Sequence, residues 1–241
     1  MTKVRLDRFL VQKKLVTTRS QAETYIRLGQ IKVDGKLITK PGFFVGEDSK
    51  IDFGVSEQYV SRAALKLASV SDVLGLDFSR KVVLDVGSST GGFTDYALQH
   101  GAQKVIAVDV GTDQLHPRLR EDKRVELHEK TDIRKFKTEQ KADIAVIDVS
   151  FISMRMILPT VVALLKSGGQ IVAMLKPQFE AGKGQLNKGI VKNSSQRRDI
   201  LQEFESWCRQ NKFVILKKSD SAISGSKGNV ERFYLVQIVK K

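Results

Sequence analysis

The chain has 241 residues, with 41 Lys+Arg against 27 Asp+Glu, and a formal net charge of +14. Its 41% hydrophobic content can build a core, which excludes a wholly disordered basic tail. One cysteine, Cys208, excludes an internal disulfide framework, and His100, His116 and His128 share no helical ligand spacing, so no metal site is expected. The N-terminal MTKVRLDRFLVQKK lacks the apolar heart of a secretion signal, and no window reaches the roughly 18 apolar residues of a membrane span. A cytoplasmic, reducing environment is therefore expected. The charge is spread along the chain, net +4 over residues 1–60 and net +10 over 61–241, and calls for a polyanionic partner.

In chain order, Leu6, Phe9 and Leu10 have helical spacing. Thr18 with Gln21 has the form of a capping box opening a second helix, whose apolar face is Ala22, Tyr25 and Ile26 and which Gly29 can close. Ile31-Lys32-Val33, the Asp34-Gly35 turn and Leu37-Ile38 predict a hairpin, and Ile51-Asp52-Phe53 a last strand. Lys13, Lys14, Arg19, Arg27 and Lys32 decorate this unit.

The run from Arg5-Leu6-Asp7-Arg8-Phe9-Leu10 through Ser20-Gln21-Ala22 to Val33-Asp34-Gly35 resembles the small α+β RNA-binding domain of ribosomal protein S4. The resemblance implies an RNA-binding domain with linker over residues 1–58, with Arg5, Arg8, Lys13, Lys14, Arg19, Arg27 and Lys32, and Arg62 beyond it, as RNA contacts.

From Lys81 the pattern turns to alternating strand and helix. Lys81–Val86 is a continuous apolar run suited to a buried parallel strand, followed by a glycine-rich turn and a helix to about His100. Strands are predicted at Val105–Val108, near Val125–Leu127, at Ile144–Ile147 and at Gln170–Leu175, with a helix over Leu158–Leu165. This alternation predicts a doubly wound α/β sheet. Phe213–Lys217 and Arg232–Val239 follow without an intervening helix and should form an antiparallel pair at its end.

The turn Gly87-Ser88-Ser89-Thr90-Gly91-Gly92 can be tested against three chemistries. A Walker loop needs Gly-Lys-Ser/Thr, which this chain lacks, and a dinucleotide fingerprint needs glycine where Ser89 stands. Gly87-x-Ser89-x-Gly91 has the form of a hydrolase nucleophile elbow, but no histidine follows His128 to complete a triad. A nucleoside site without pyrophosphate survives.

Asp85-Val86-Gly87-x-x-x-Gly91-Gly92 resembles the first motif of S-adenosylmethionine-dependent methyltransferases. That resemblance implies S-adenosyl-L-methionine as cofactor, with Asp85, Gly87, Ser88, Ser89, Gly91, Gly92 and Phe93 around it. Asp109 is placed at a strand end to accept from the ribose diol, Asp132 to meet the adenine edge, and Asp148 to border the methionine end.

Lys66, Asp148, Lys176 and Glu231 match, in order, the Lys-Asp-Lys-Glu set of FtsJ-like ribose 2′-O-methyltransferases. With the S4-type domain, the whole chain resembles the TlyA family, often labelled hemolysin A, which implies an FtsJ-like domain over residues 59–241 and methylation of a cytidine ribose in ribosomal RNA. Lys176 is then expected to contact the reacting oxygen, through its charge if protonated or as a base if its pKa were lowered. The basic run Lys183–Gly189, with Lys192, Arg197 and Arg198 beyond, is expected to be a loop that closes over RNA. Two other readings stand beside this one: a non-catalytic RNA-binding or ribosome-assembly protein on the same scaffold, and a membrane-active hemolysin, which the absent amphipathic and spanning segments disfavour.

Overall fold

The computed structural model describes residues 3–16, 18–27, 29–53, 59–182, 184–191, 193–225 and 228–238, with the side chain of Ser20 left aside. Lys183, Lys192 and Val239, named above, lie outside the described residues. The chain divides into two compact units, Met1–Leu65 and Lys66–Lys241.

The first unit opens with β1 (Val4–Arg5) and α1 (Leu6–Gln12), then α2 (Arg19–Arg27), β2 (Ile31–Val33), β3 (Lys36–Leu37), β4 (Phe44–Val45) and β5 (Ile51–Phe53). Leu6, Phe9 and Leu10 of α1 are buried, as are Ala22, Tyr25 and Ile26 of α2, so the helical spacing makes the core. Thr18 Oγ1 accepts from Gln21 N at 3.2 Å, while the Gln21 amide donates to the Tyr59 carbonyl at 2.9 Å. Asp34 and Gly35 have φ of 50° and 77°, the paired positive values of a type I′ turn, and β2 pairs antiparallel with both β3 and β5. The β1–β4 pair is additional to the elements expected from sequence.

α3 (Arg62–Leu74) precedes the second unit's sheet. The elements continue with β6 (Val82–Val86), α4 (Gly92–Gln99), β7 (Lys104–Val108), α5 (Pro117–Arg120), β8 (Val125–His128) and β9 (Ala142–Ile147). A 3-10 turn at Met154–Met156 leads into α6 (Leu158–Ala163), β10 (Leu165–Leu175) and α7 (Pro177–Glu180). A small hairpin, β11 (Leu186–Asn187) with β12 (Ile190–Val191), then α8 (Ser194–Gln210), β13 (Phe213–Asp220) and β14 (Arg232–Ile238) complete it.

The seven-stranded sheet has the order β13-β14-β10-β9-β6-β7-β8. β10, β9, β6, β7 and β8 are parallel, and β14 is antiparallel to both its neighbours. The expected doubly wound methyltransferase sheet with a terminal antiparallel hairpin is therefore present. The expected loop after Lys183 is instead the β11–β12 hairpin followed by a 17-residue helix, α8, on which Arg197 and Arg198 lie.

Val82, Leu84 and Val86 of β6 join a buried cluster with Leu158 and Val161 of α6 and Phe204 and Cys208 of α8. Because side chains alternate along a strand, Val83 and Asp85 turn to the opposite face, where α4 lies. Both faces of β6 are covered, and all five of its residues are buried. The chain runs from β6 outward to β8, then restarts at β9 on the other side, so the strand order reverses between β6 and β9. Ligands in open α/β sheets bind beyond the carboxyl ends at such a switch point.

Candidate active site

Gly87 leaves β6 and Asp148 leaves β9 side by side, and Asp148 N donates to the Val86 carbonyl at 3.0 Å. A Cβ on Gly87 would lie 2.6 Å from the Asp148 carbonyl oxygen, and φ is 81° there, so the approach requires glycine twice over. Gly91, at φ 90°, forms the N-cap of α4. Ser89 holds a left-handed φ of 46°, with its N–H donating to Asp109 Oδ2 at 2.8 Å and its hydroxyl to Gln114 Oε1 at 3.1 Å.

These turns border a cavity of about 430 Å³ lined by Gly87, Ser89, Asp109, Asp132 and Asp148 among the residues expected around a cofactor. Gln114, Ile133, Arg134, Ser150 and Phe151 line it as well. Asp85, Ser88, Gly91, Gly92 and Phe93 do not. Asp85 is wholly buried and its Oδ2 accepts from Thr94 Oγ1 at 2.6 Å, while Oδ1 has no hydrogen-bond partner. Desolvation, reinforced by the charges of Asp148 and Asp109, raises this carboxyl to about 7 despite the Thr94 bond. Phe93 packs against Phe233 with ring centroids 6.1 Å apart.

The strand-end carboxylates differ in their partners. Asp109 Oδ1 also accepts from Gly111 N at 2.7 Å. Asp132 is held by the Arg134 guanidinium at 2.6 Å and by the Arg134 N–H at 2.9 Å, and the guanidinium bonds lower its carboxyl to about 2.

The four residues of the Lys-Asp-Lys-Glu pattern form two ion pairs. Lys66 Nζ, from α3, lies 2.8 Å from Glu231 Oε2 and 2.9 Å from Oε1, and both side chains are largely buried. Lys176 Nζ lies 2.5 Å from Asp148 Oδ1 and donates to Ser150 Oγ at 2.9 Å. The last β10–β14 register pair is Leu175 with Arg232, so Lys176 and Glu231 are the next residues beyond it at the same sheet edge. Sequence reasoning did not name Ser150, although it stands two residues after Asp148 in the same turn.

Beside Lys176 lies an aromatic pair, Phe151 and Phe179, with centroids 5.0 Å apart and Lys176 Nζ 5.9 Å from the Phe179 centroid. Phe151 is 92% exposed at φ 63°, a costly conformation for a bulky apolar side chain. A second cavity, of about 590 Å³, is lined by this pair with Arg134 and Gln178. Glu180 binds the two loops together, accepting from Ser153 Oγ at 2.7 Å and Met154 N at 2.6 Å.

In the first unit, Asp7 is buried and accepts from Arg5 and Arg19. Burial opposes its ionisation, but the two guanidiniums outweigh burial and hold the carboxyl below its usual range. Arg5 and Arg19 are thus partly committed to the fold. Arg8, Lys13, Lys14, Arg27 and Lys32 are exposed, Lys13 lying over the Phe9 ring at 5.4 Å, and Arg62 is half-buried at the start of α3. Among the described residues no helix is long and apolar enough to cross a membrane.

Residues 59–238 match the FtsJ-like methyltransferase family, and residues 4–51 match the S4 domain. The 23S rRNA (cytidine-2′-O)-methyltransferase TlyA of Campylobacter jejuni is 35% identical over 94% of this chain and 96% of its own length. The 16S/23S rRNA (cytidine-2′-O)-methyltransferase TlyA of Mycobacterium tuberculosis is 34% identical over 96% of this chain and 88% of its own. A solved structure from Streptococcus thermophilus that bears a hemolysin name superposes with a TM-score of 0.74 at 38% identity, covering 100% of this chain and 90% of its own.

Proposed function

The chain belongs to the FtsJ-like methyltransferase family and carries an S4 domain ahead of the catalytic fold, and on that premise we propose that it methylates the 2′-hydroxyl of a cytidine ribose in ribosomal RNA, with S-adenosyl-L-methionine as donor. The observation that carries this reading is the adjacency of two arrangements at one sheet edge. A glycine-cradled cavity with acidic ends lies at the switch point, and the Lys66–Glu231 and Lys176–Asp148 pairs lie beside it.

The cavity fits the donor on its own features. Gly87 lets the ends of β6 and β9 close up at the cavity's border, Asp109 is placed for a ribose diol, and Asp132 for an adenine edge. When bound, the cofactor supplies an activated methyl group on a cationic sulfur. The residues have then to bring a ribose hydroxyl into line and favour its developing negative charge. Lys176 is the residue for that oxygen. Paired with the Asp148 carboxylate, Lys176 is assigned a role by charge and hydrogen bond. Its ammonium sits between the Asp148 carboxylate, as an ion pair, and the Ser150 hydroxyl, to which it donates. Lys66 and Glu231 neutralise one another in a largely buried site. With the donor bound, Lys176 would hold the ribose oxygen as it takes the methyl group, and the hydroxyl proton would pass to solvent.

The exposed Phe151 ring beside Phe179 suits stacking of an unpaired base, the usual means of RNA recognition outside helices. The S4 domain supplies the exposed cations of the first unit for phosphate contact.

The test is transfer of a labelled methyl group to ribosomal RNA, with the modified ribose mapped by mass spectrometry. Lys176→Ala should lower kcat by about 10²-fold or more while calorimetric affinity for S-adenosyl-L-methionine stays within about twofold, because Lys176 does not line the cofactor cavity. Full activity in that variant overturns the assignment. A wild-type protein that binds RNA and not the cofactor establishes the non-catalytic reading instead.

A further inference from the structure

Glu231 is placed by an element that none of the family's four charged residues belongs to. The basic glycine-rich segment after Lys176 folds as the β11–β12 hairpin, with Leu186 paired to Val191 and Asn187 to Ile190. Its turn, Lys188-Gly189, has φ of 48° and 81°, the left-handed pair of a type I′ turn, and presents the exposed Lys188 at the tip. Asn229, two residues before Glu231, is 7% exposed and fastens this hairpin through its side-chain amide. Oδ1 accepts from Val191 N at 3.1 Å, and Nδ2 donates to the Gly189 carbonyl at 3.0 Å.

An amide supplies one donor group and one acceptor at fixed separation, as a strand backbone does. The Asn229 carbonyl in turn accepts from Gly225 N at 2.8 Å. A Cβ on Gly225 would lie 2.8 Å from Glu231 Oε1, so Gly225 is pressed against the glutamate itself. On the other side, Arg197 of α8 donates to the Val230 carbonyl at 3.1 Å while pairing with Asp220. The stretch Asn229-Val230-Glu231 is thus gripped by the hairpin at one residue and by α8 at the next.

Resting on the ribose-methylation reading, we propose that Asn229 is a positioning residue that couples the β11–β12 hairpin to Glu231, making the hairpin a contact for the RNA phosphate backbone whose engagement is felt in the catalytic set. Lys188 at the tip is the phosphate contact. Without the amide, the hairpin loses its direct tie to the stretch that carries Glu231, and RNA bound at the tip no longer helps to hold Glu231 against Lys66.

The test uses the full chain with S-adenosyl-L-methionine and ribosomal RNA. Asn229→Ala should accelerate hydrogen exchange at the Val191 amide and raise KM for RNA about tenfold, with cofactor affinity by calorimetry within about twofold of wild type. Asn229→Asp, which keeps the acceptor and loses the donor, should fall between them. Lys188→Ala should raise KM about threefold in the wild-type background and add almost nothing in Asn229→Ala. Additive effects, or an unchanged KM once Val191 exchange has accelerated, overturn the coupling. A parallel loss of cofactor affinity overturns it in favour of a purely structural role. Failure of the wild-type protein to methylate RNA removes the underlying reading, and is distinct from normal wild-type activity with insensitive variants.

Discussion

Asp85 illustrates how far one residue can be read without its surroundings. Its place before Gly87 made it a candidate cofactor contact, yet its side chain turns away from the cavity to Thr94. β6 is buried on both faces, so no alternation of polar and apolar residues marked which way Asp85 points. The buried acid has a consequence for pH. Its folded-state value of about 7 lies above the usual 3.8, so the folded chain holds this proton more tightly than the unfolded chain. The resulting stabilisation is complete below pH 3.8 and is lost as pH rises through 7. Asp85→Asn keeps a neutral polar side chain at every pH. Between pH 4 and 8 the wild type should lose up to about 4 kcal/mol of stability relative to that variant, as read by urea unfolding. A difference that does not change with pH would mean Asp85 is ionised throughout. The four charged residues at the sheet edge were legible as types and in order, whereas Ser150 was not, because a hydroxyl in a turn carries no signal until Lys176 is seen 2.9 Å from it.

Among the elements, legibility followed length and periodicity. The parallel strands were readable as apolar runs, and the Asp34-Gly35 hairpin by its turn residues. β1 and β4, at two residues each, are too short to carry a repeat. α8 has the 3.6-residue pattern, with Ile200, Leu201, Phe204 and Cys208 buried, but its leading arginines read as part of a basic loop. The structure assigns Arg197 to Asp220 and the Val230 carbonyl, a role that depends on strands more than twenty residues away. The turn from β6 into α4 gives a prediction of its own. Gly87→Ala would place a methyl against the Asp148 carbonyl and force a left-handed backbone on alanine. It should cost about 1–3 kcal/mol in stability and weaken cofactor affinity at least tenfold, checked by unfolding and calorimetry on the same sample. Unchanged cofactor affinity would dissociate the turn from the cavity.

For the whole molecule, the charge of +14 now divides by purpose. Some cations are spent internally, as Arg5 and Arg19 are on Asp7 and Lys66 on Glu231. Arg8, Lys14, Arg27 and Lys32 remain exposed. RNA affinity should therefore fall steeply with salt, log Kd against log salt having a slope of about 0.7 per phosphate contacted on a single strand. Affinity for the small cofactor, measured over the same range, should change far less. Equal salt dependence of the two ligands would remove the phosphate-binding role from these side chains.

The reversed direction of β14 also sets a sequence of events during synthesis. A parallel last strand would begin at the sheet edge opposite the carboxyl ends of β6, β9 and β10, whereas β14 begins on the same edge and delivers Glu231 there. The cavity's lining is complete once residue 157 has emerged from the ribosome, but Lys66 does not meet its carboxylate until residue 231 has followed. On the proposed reading, every residue lining the donor cavity is made some seventy residues before Glu231, so the seating of the final strand would complete the catalytic set.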